Sequence, residues 1–343
     1  MSKYIKNPFV VSGLFLLFSF IFLSIFFNKI SRDSTIKQVQ HRQQLSVRAG
    51  GKSIEIFLSS IGKTSVAVAN DTSYSKLDEL VATWSDSNIS GLVVTDKDGI
   101  LIRNSNILMI RDTSGVDLSG RDYFKWAKLA KKGDYKIFSP VISKAGTSKG
   151  KSIVTISTPI IKNNQFDGVL TIAVLLSDLS REYLDNLKVL DSSRIYLISS
   201  SGEIIYSDNQ EYMGKNVENI FEKDFLGKKK IIEIILDELG KNSESKLSLA
   251  LPNFENNYIL EPYLISSAPV NVSDQLWKVF VVTPENDLNA FTSNMFNKQI
   301  IAFFIFVVLF ILLTLRSSRN SGYHEAVSNE HKIHGIDQKI SLK

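Results

Sequence analysis

The segment that most resembles a reaction site is residues 145–152, which read AGTSKGKS and have the spacing of a loose phosphate-binding loop. Such a loop binds nucleotide phosphates where it leads into a helix, whose N-terminus and backbone amides hold the anion. Here residues 153–159 have strand character and end at a proline. We therefore interpret the segment as a solvated hairpin loop and do not expect nucleotide binding.

The histidines are concentrated near the C-terminus, where His324, His331 and His334 lie close to Glu325 and Glu330. Their spacing is not that of a His-Glu-x-x-His zinc helix, and a polar tail has no core to orient metal ligands. The chain has no cysteine, which excludes disulfides and thiol nucleophiles. No nucleophile elbow or catalytic triad is evident. We predict that the protein is not an enzyme and has no cofactor and no metal site.

The charge pattern excludes nucleic acid as a partner. The net charge of +5 is spread along the chain, and the densest basic cluster, residues 228–230, is flanked by Glu222, Asp224 and Glu233. Nucleic-acid surfaces carry denser, unbalanced basic patches.

Two apolar runs near the ends predict membrane-spanning helices. Residues 8–27 carry no charge, and as a helix they would cover about 30 Å, the thickness of a hydrocarbon core. We predict a transmembrane helix at 8–28 after a head at 1–7. A cleaved signal peptide is the alternative, but the run is longer than a signal core and no Ala-x-Ala site follows it.

The second predicted span is 297–315, where a snorkelling Lys298 can extend a short uncharged run. A buried core helix is the alternative, although few core helices are apolar on every face. Arg316 and Arg319 favour a cytoplasmic tail at 316–343. We expect a two-pass protein of the cell membrane, with the lipid bilayer as a partner and the segment between the spans outside the cytoplasm.

The region between the spans begins with a helical pattern and continues as short strands. Residues 29–70 lack proline and carry apolar residues at helical intervals, so we predict a long helix, weakened near Gly50 and Gly51. Alternating apolar residues and turn residues then predict three hairpins. Their strands are 91–95 with 100–102, 152–160 with 168–176 across a loop at 163–167, and 194–198 with 204–206.

The hairpin pattern recurs along the chain, since short motifs reappear in the same order at an offset of about 100 to 110 residues. Gly214-Lys215-Asn216-Val217, for example, echoes Gly115-Val116-Asp117-Leu118. We predict an α+β fold in which the long helix carries two copies of one module, each a small antiparallel sheet with flanking helices.

Residues 117–127 read DLSGRDYFKWA and are followed by Ser139-Pro140, Gly150-Lys151 and Thr158-Pro159-Ile160. This pattern resembles the double Cache family, the PAS-like extracytoplasmic sensor domains of bacterial chemoreceptors, sensor kinases and diguanylate cyclases. The resemblance covers residues 30–298 and the flanking spans. It implies a membrane-distal module at 71–180 that binds the ligand, a membrane-proximal module at 181–290, and homodimerisation.

The resemblance also implies a binding pocket lined by Arg121, Tyr123 and Phe124, with Trp126 beside them. Arginine pairs with a carboxylate through two parallel hydrogen bonds, and aromatic faces pack on apolar or cationic groups. In the alternative interpretation Tyr123, Phe124 and Trp126 belong to the core and Arg121 donates to backbone carbonyls.

The chain departs from the amino-acid-binding branch of that family. The branch has Tyr and Asp after the proline and an Asp on the last strand, which hold an ammonium group. The matching positions here are Val141, Ser143 and Ala173, which we include among the site residues. Without those carboxylates a ligand cation is unbalanced, so a small organic anion at Arg121 is favoured over an amino acid.

Family members usually carry a cytoplasmic output region, and residues 316–343 are too short and polar to fold as one. We therefore expect a sensor of a small ligand that signals to a separate cytoplasmic partner. A truncated chain, or an envelope interaction module with no ligand, are the alternatives.

Overall fold

The computed structural model describes residues 8–70, 77–84, 88–106, 108, 115–224, 229–252, 260–288, 298–309 and 312. Backbone contacts divide the chain into two compact units. One comprises residues 1–35 and 287–343, and the other comprises residues 36–286. The histidines at 324, 331 and 334 lie outside the described residues.

In the smaller unit, residues 298–309 are helical, and the rings of Phe20 and Phe303 stack with centroids 3.5 Å apart. Within the ranges given above, no helix combines the length and the apolar character needed to cross a bilayer. The two spans stay a prediction.

A long helix, α1 (Pro8–Asn70), begins the fold. The predicted long helix is therefore confirmed. It continues through Gly50 and Gly51 without a break, so the predicted weak point is wrong. These glycines instead mark close packing, because a Cβ on Gly50 would lie 2.6 Å from a methyl carbon of Leu187, and a Cβ on Gly51 would lie 3.2 Å from Val270.

The first sheet follows α1 and defines what we call the first module. Its strands are β1 (Ile89–Thr95), β2 (Leu101–Asn106), β3 (Lys136–Ile137), β4 (Val141–Ile142), β5 (Ser152–Lys162) and β6 (Gln165–Leu175), in the order β2-β1-β6-β5-β3, with β4 also paired to β5. Its helices are α2 (Leu77–Thr83), α3 (Asp122–Ala127) and α4 (Leu176–Tyr183). All strand pairs are antiparallel.

The second sheet defines the second module. Its strands are β7 (Arg194–Ser199), β8 (Ile204–Ser207), β9 (Ser245–Pro252), β10 (Leu260–Val272) and β11 (Gln275–Pro284), in the order β8-β7-β11-β10-β9. Its helices are α5 (Val217–Asp224) and α6 (Lys229–Gly240). This order repeats that of the first sheet, so the prediction of two antiparallel-sheet modules behind a long helix is confirmed.

The predicted hairpins are present, with one loop shorter than expected. β5 and β6 are joined by Asn163 and Asn164 alone, whose φ angles of 49° and 61° suit a two-residue hairpin turn. Asparagine tolerates this left-handed conformation better than most residues. The strand β6 therefore begins at Gln165, inside the predicted loop.

Alternation along the strands gives the first sheet two different faces. One face joins α1 in a single apolar core, to which α1 contributes Ile54, Leu58 and Ile61. The sheet contributes Leu92, Val94, Val154, Ile156, Leu170, Ile172 and Val174. Residues at the intervening positions must point to the opposite face, and that face carries the candidate site.

Polar side chains fix α1 to the second module. The buried Gln43 donates through Nε2 to the carbonyls of Leu264 and Val281, and Gln44 donates to the carbonyl of Ser267 at 3.0 Å. Buried amides with such partners resist sliding of the helix, because a shift would leave polar groups unpaired.

Farther along α1, Gly62 lies against Tyr135 of the first module, whose hydroxyl is 3.2 Å from Ser59 Oγ. A Cβ on Gly62 would lie 2.1 Å from Cε2 of that ring. We expect Gly62→Ala to lower the free energy of unfolding by about 1–3 kcal/mol through overpacking, although alanine favours helix. Urea denaturation of the purified protein measures this.

Gly120→Ala is the matched control, because a Cβ there meets no atom within 4 Å. Equal stability of the two variants would contradict close packing of α1 on the first module.

Candidate functional site

The floor of the candidate site is the face of the first sheet that points away from α1. The strand register places Asn106 opposite Gly91, Gly91 opposite Ala173, and Ala173 opposite Thr155. Cross-strand partners share a face, so these residues form one row across β2, β1, β6 and β5. The two smallest side chains lie in the middle, which leaves a trough along the row.

A second row runs beside the first and contains Asn104, Val93, Thr171 and Ser157. The hydroxyls of Ser157 and Thr171 are 2.8 Å apart and satisfy each other. Asn104 accepts a 3.3 Å hydrogen bond at Oδ1 from Asn106 Nδ2, which fixes the orientation of its amide group.

Two buried polar atoms on this face have no hydrogen-bond partner among the described residues. They are Nδ2 of Asn104, a residue 3% exposed, and Oγ1 of Thr155, a residue 2% exposed. Both residues line the cavity above the sheet. An unpaired buried polar group costs roughly 1–3 kcal/mol, so two of them facing one cavity indicate that something else supplies their partners.

The roof of the cavity is the segment 141–148, which ends in a short 3-10 helix (Gly146–Ser148). Hydroxyl groups hold this segment in place. Ser143 Oγ donates to the carbonyl of Ala145 at 2.9 Å, Ser148 Oγ donates to Ser143 Oγ at 3.1 Å, and Thr147 Oγ1 donates to the carbonyl of Ser90 at 3.2 Å. The phosphate-loop-like sequence is thus a loop between β4 and β5, as predicted, but it is packed over the cavity rather than solvated, since Ser148 is buried.

Arg121, at the N-cap of α3, contributes to the wall of the cavity near β4. Its Nη2 donates to the carbonyl of Ile142 at 2.7 Å, and Ile142 pairs with Ser152 of β5. A guanidinium group has five N–H donors. The other four have no acceptor among the described residues, so Arg121 both braces the roof and can bind an anion.

Tyr123 also lines the cavity and is buried. Its ring makes an edge contact with Phe138, with centroids 6.2 Å apart. Burial raises the pKa of its phenol to about 12, while the charge of Arg121 opposes the shift. The phenol is therefore neutral at physiological pH and can donate a hydrogen bond.

Two of the predicted site residues face elsewhere. Phe124 is 1% exposed and packs edge-on against Phe166 within an apolar cluster, and Trp126 packs against Phe138. Neither lines the cavity. The structure here matches the alternative interpretation: Phe124 belongs to the core, Trp126 is partly buried against it, and Arg121 donates to a backbone carbonyl.

The remaining predicted residues surround the cavity: Arg121, Tyr123, Val141, Ser143 and Ala173. Sequence reasoning missed Asn104 and Thr155, which flank the trough. The signal that could have found them is polar residues at alternating strand positions, where a core strand would carry apolar ones.

The cavity is small and its charged lining is basic. It has a volume of about 40 Å³, enough for ordered water or a slender ligand. Of the described residues that line it, Arg121 and Lys144 are cationic and none is acidic. Lys144 also helps lower the pKa of Asp117, although the hydrogen bond from Ser119 is the larger cause.

The corresponding face of the second module is filled by side chains. There Tyr196 of β7 lies opposite Phe280 of β11, at strands equivalent to those of Gly91 and Ala173. Both pack in one cluster with Tyr263 of β10. Large residues thus occupy in the second module the space that small residues leave open in the first.

Comparisons with known proteins identify a matching family and similar solved domains. A family model described as Cache domain matches residues 28–291. The ligand-binding domain of the Pseudomonas aeruginosa PAO1 amino acid chemoreceptor PctB, in complex with L-Arg, is similar with a TM-score of 0.52 and 13% identity. The match covers 73% of this chain and 95% of that domain.

The ligand-binding domain of the Pseudomonas fluorescens chemoreceptor CtaA, in complex with L-isoleucine, also has a TM-score of 0.52, with 14% identity over 76% of this chain and 98% of that one. At these identities the likeness shows the fold alone. No curated relative matches the chain.

The raised pKa of Tyr123 predicts a pH effect at the alkaline end. An unfolded tyrosine ionises near pH 10, so the stabilisation from the neutral buried phenol is present below pH 10 and is lost as the pH rises towards 12. We expect Tyr123→Phe to lose less stability than the wild type between pH 9 and pH 11. Urea denaturation at both values measures this, and equal losses would contradict the burial of the phenol.

Proposed function

Because this chain belongs to the Cache domain family, we propose that it is a sensor that binds a small ligand in the cavity of its first module. The family predicted from the sequence is confirmed. Cache domains are sensory rather than catalytic, and the proposal assigns no reaction to this chain.

The observation that carries this proposal is the pair of unpartnered buried atoms, Asn104 Nδ2 and Thr155 Oγ1, in a cavity that Arg121 also lines. Unpaired groups that line a cavity, unlike those enclosed by packed side chains, are open to a partner from solution. Convergent polar groups in a cavity are the usual arrangement of a small-molecule site.

The charge of the lining supports an anionic ligand. The similar PctB and CtaA domains were solved with amino acids, whose ammonium group needs an acceptor. In this cavity Ser143 and Ala173 stand where the amino-acid-binding branch has two aspartates, and Val141 stands where it has a tyrosine. Arg121 supplies parallel N–H donors for a carboxylate.

The transmission of the signal follows from the position of α1. The segment from Gln43 to Gly51 contacts the second module, and Ser59 and Gly62 contact the first. Under this proposal the runs at 8–28 and 297–315 anchor the protein in the cell membrane, the modules lie outside the cytoplasm, and ligand binding shifts α1 to signal to a separate partner.

The experiment is thermal denaturation of the purified full chain with a panel of small carboxylates, amino acids and amines. We expect at least one carboxylate to raise the Tm, because a ligand that binds only the folded state stabilises it. Arg121→Ala should weaken that ligand by about 10- to 100-fold, since a hydrogen bond to a charged group contributes about 1.5–3 kcal/mol.

Arg181→Ala is the matched control, because Arg181 is a largely exposed arginine of the same module, paired with Asp178 on the surface. Equal loss of ligand response in both arginine variants would contradict the site. A panel without any stabilising compound would instead favour an envelope interaction module with no ligand.

A further inference from the structure

The proposed sensor site has a shape that narrows its ligand class. Resting on that proposed function, we infer that the ligand is an unbranched dicarboxylate that lies along the trough from β5 to β2. One carboxylate binds at Arg121 and Thr155, and the other binds at Asn104.

The first end of the trough is at β5. Thr155 is on β5, and Arg121 donates to Ile142 of β4, which pairs with β5. A carboxylate here accepts from the free side of the guanidinium group and from the Thr155 hydroxyl, which has no other partner among the described residues. Charge-assisted hydrogen bonds of this kind are stronger than hydrogen bonds between neutral groups.

The second end is at β2. Asn104 Nδ2 is a donor, and its amide orientation is fixed by the hydrogen bond from Asn106 to Oδ1. The complementary ligand group is therefore an acceptor. An ammonium group offers only donors and would leave Asn104 unsatisfied.

The distance between the ends sets the length of the ligand. β2 and β5 are three strand spacings apart, because β1 and β6 lie between them, and this separation is about 14 Å. A hydrogen bond of about 3 Å at each end leaves about 8 to 10 Å between the ligand acceptor atoms. An extended zigzag chain advances about 1.2 Å per bond, so this distance is about seven to eight bonds from oxygen to oxygen, which is a dicarboxylate of about six or seven carbon atoms.

The middle of the trough limits the width of the ligand. Gly91 and Ala173 form the floor there, and the roof segment is held close by Thr147, which bonds to Ser90. A cavity volume of about 40 Å³ over that length leaves only a narrow channel. A branched chain would clash with the roof, whereas a methylene chain fits and buries apolar surface.

The charge of the site matches a dianion. Arg121 and Lys144 are the cationic residues among those described around the cavity, and no acidic residue lines it. Lys144 is on the roof segment and is exposed, so it adds attraction rather than a fixed contact.

The test is a calorimetric titration of the purified full chain with four compounds of equal length: adipate, hexanoate, 6-aminohexanoate and 1,6-diaminohexane. We expect adipate to bind at least tenfold more tightly than hexanoate, because hexanoate leaves Asn104 unpaired. The two amines should bind more weakly still. Succinate and octanedioate test the length, and we expect both to bind more weakly than adipate.

Three variants test which residues bind each carboxylate of the ligand. Asn104→Ala should weaken adipate at least tenfold and leave hexanoate unchanged, whereas Thr155→Val should weaken both compounds. Lys144→Met should weaken adipate, and Lys149→Met is the control, because Lys149 follows in the same loop but does not line the cavity. Circular dichroism of each variant confirms that it folds.

The outcomes separate this inference from the proposed function. Equal binding of adipate and hexanoate, or tighter binding of an amine, would overturn the inference that the ligand is a dicarboxylate. The proposed function as a ligand sensor would stand. The dicarboxylate is also overturned, and the sensor stands, if none of these compounds binds while another compound raises the Tm of the wild type but not of Arg121→Ala. If no small molecule binds at all, the proposed function falls together with the inference.

Discussion

The packing of α1 on one face of the first sheet is the constraint on which the site depends. Side chains alternate across a strand, so burying Leu92 and Ile172 against α1 forces Gly91 and Ala173 onto the other face. A register shift of one residue would exchange the two sets and put apolar side chains into the trough. The apolar core thus fixes the position of every residue on the floor.

The elements of the fold were largely predictable because their signals are local. Alternating apolar residues and turn residues are enough to place the hairpins, and helical spacing is enough to place α1. The errors are also local in origin. Gly50 and Gly51 indicate a weak helix by propensity, but close packing against Leu187 and Val270 outweighs that preference.

The site was predictable only in part, because its residues come together through strand pairing. A resemblance in the sequence pointed to Arg121, Tyr123 and Ala173, which the structure places around the cavity. Phe124 could not face the cavity together with Tyr123, since successive residues of a helix point about 100° apart. Asn104 and Thr155 are on strands far apart in sequence, and only the register brings them to one trough.

The contrast between the two modules suggests how such domains diverge. The same strand order leaves an open trough where Gly91 lies opposite Ala173, and gives a filled face where Tyr196 lies opposite Phe280. The strands that surround these positions are the same in order and direction. A few central side chains therefore decide whether the face of such a sheet is open or filled, while the surrounding strands keep their order and direction.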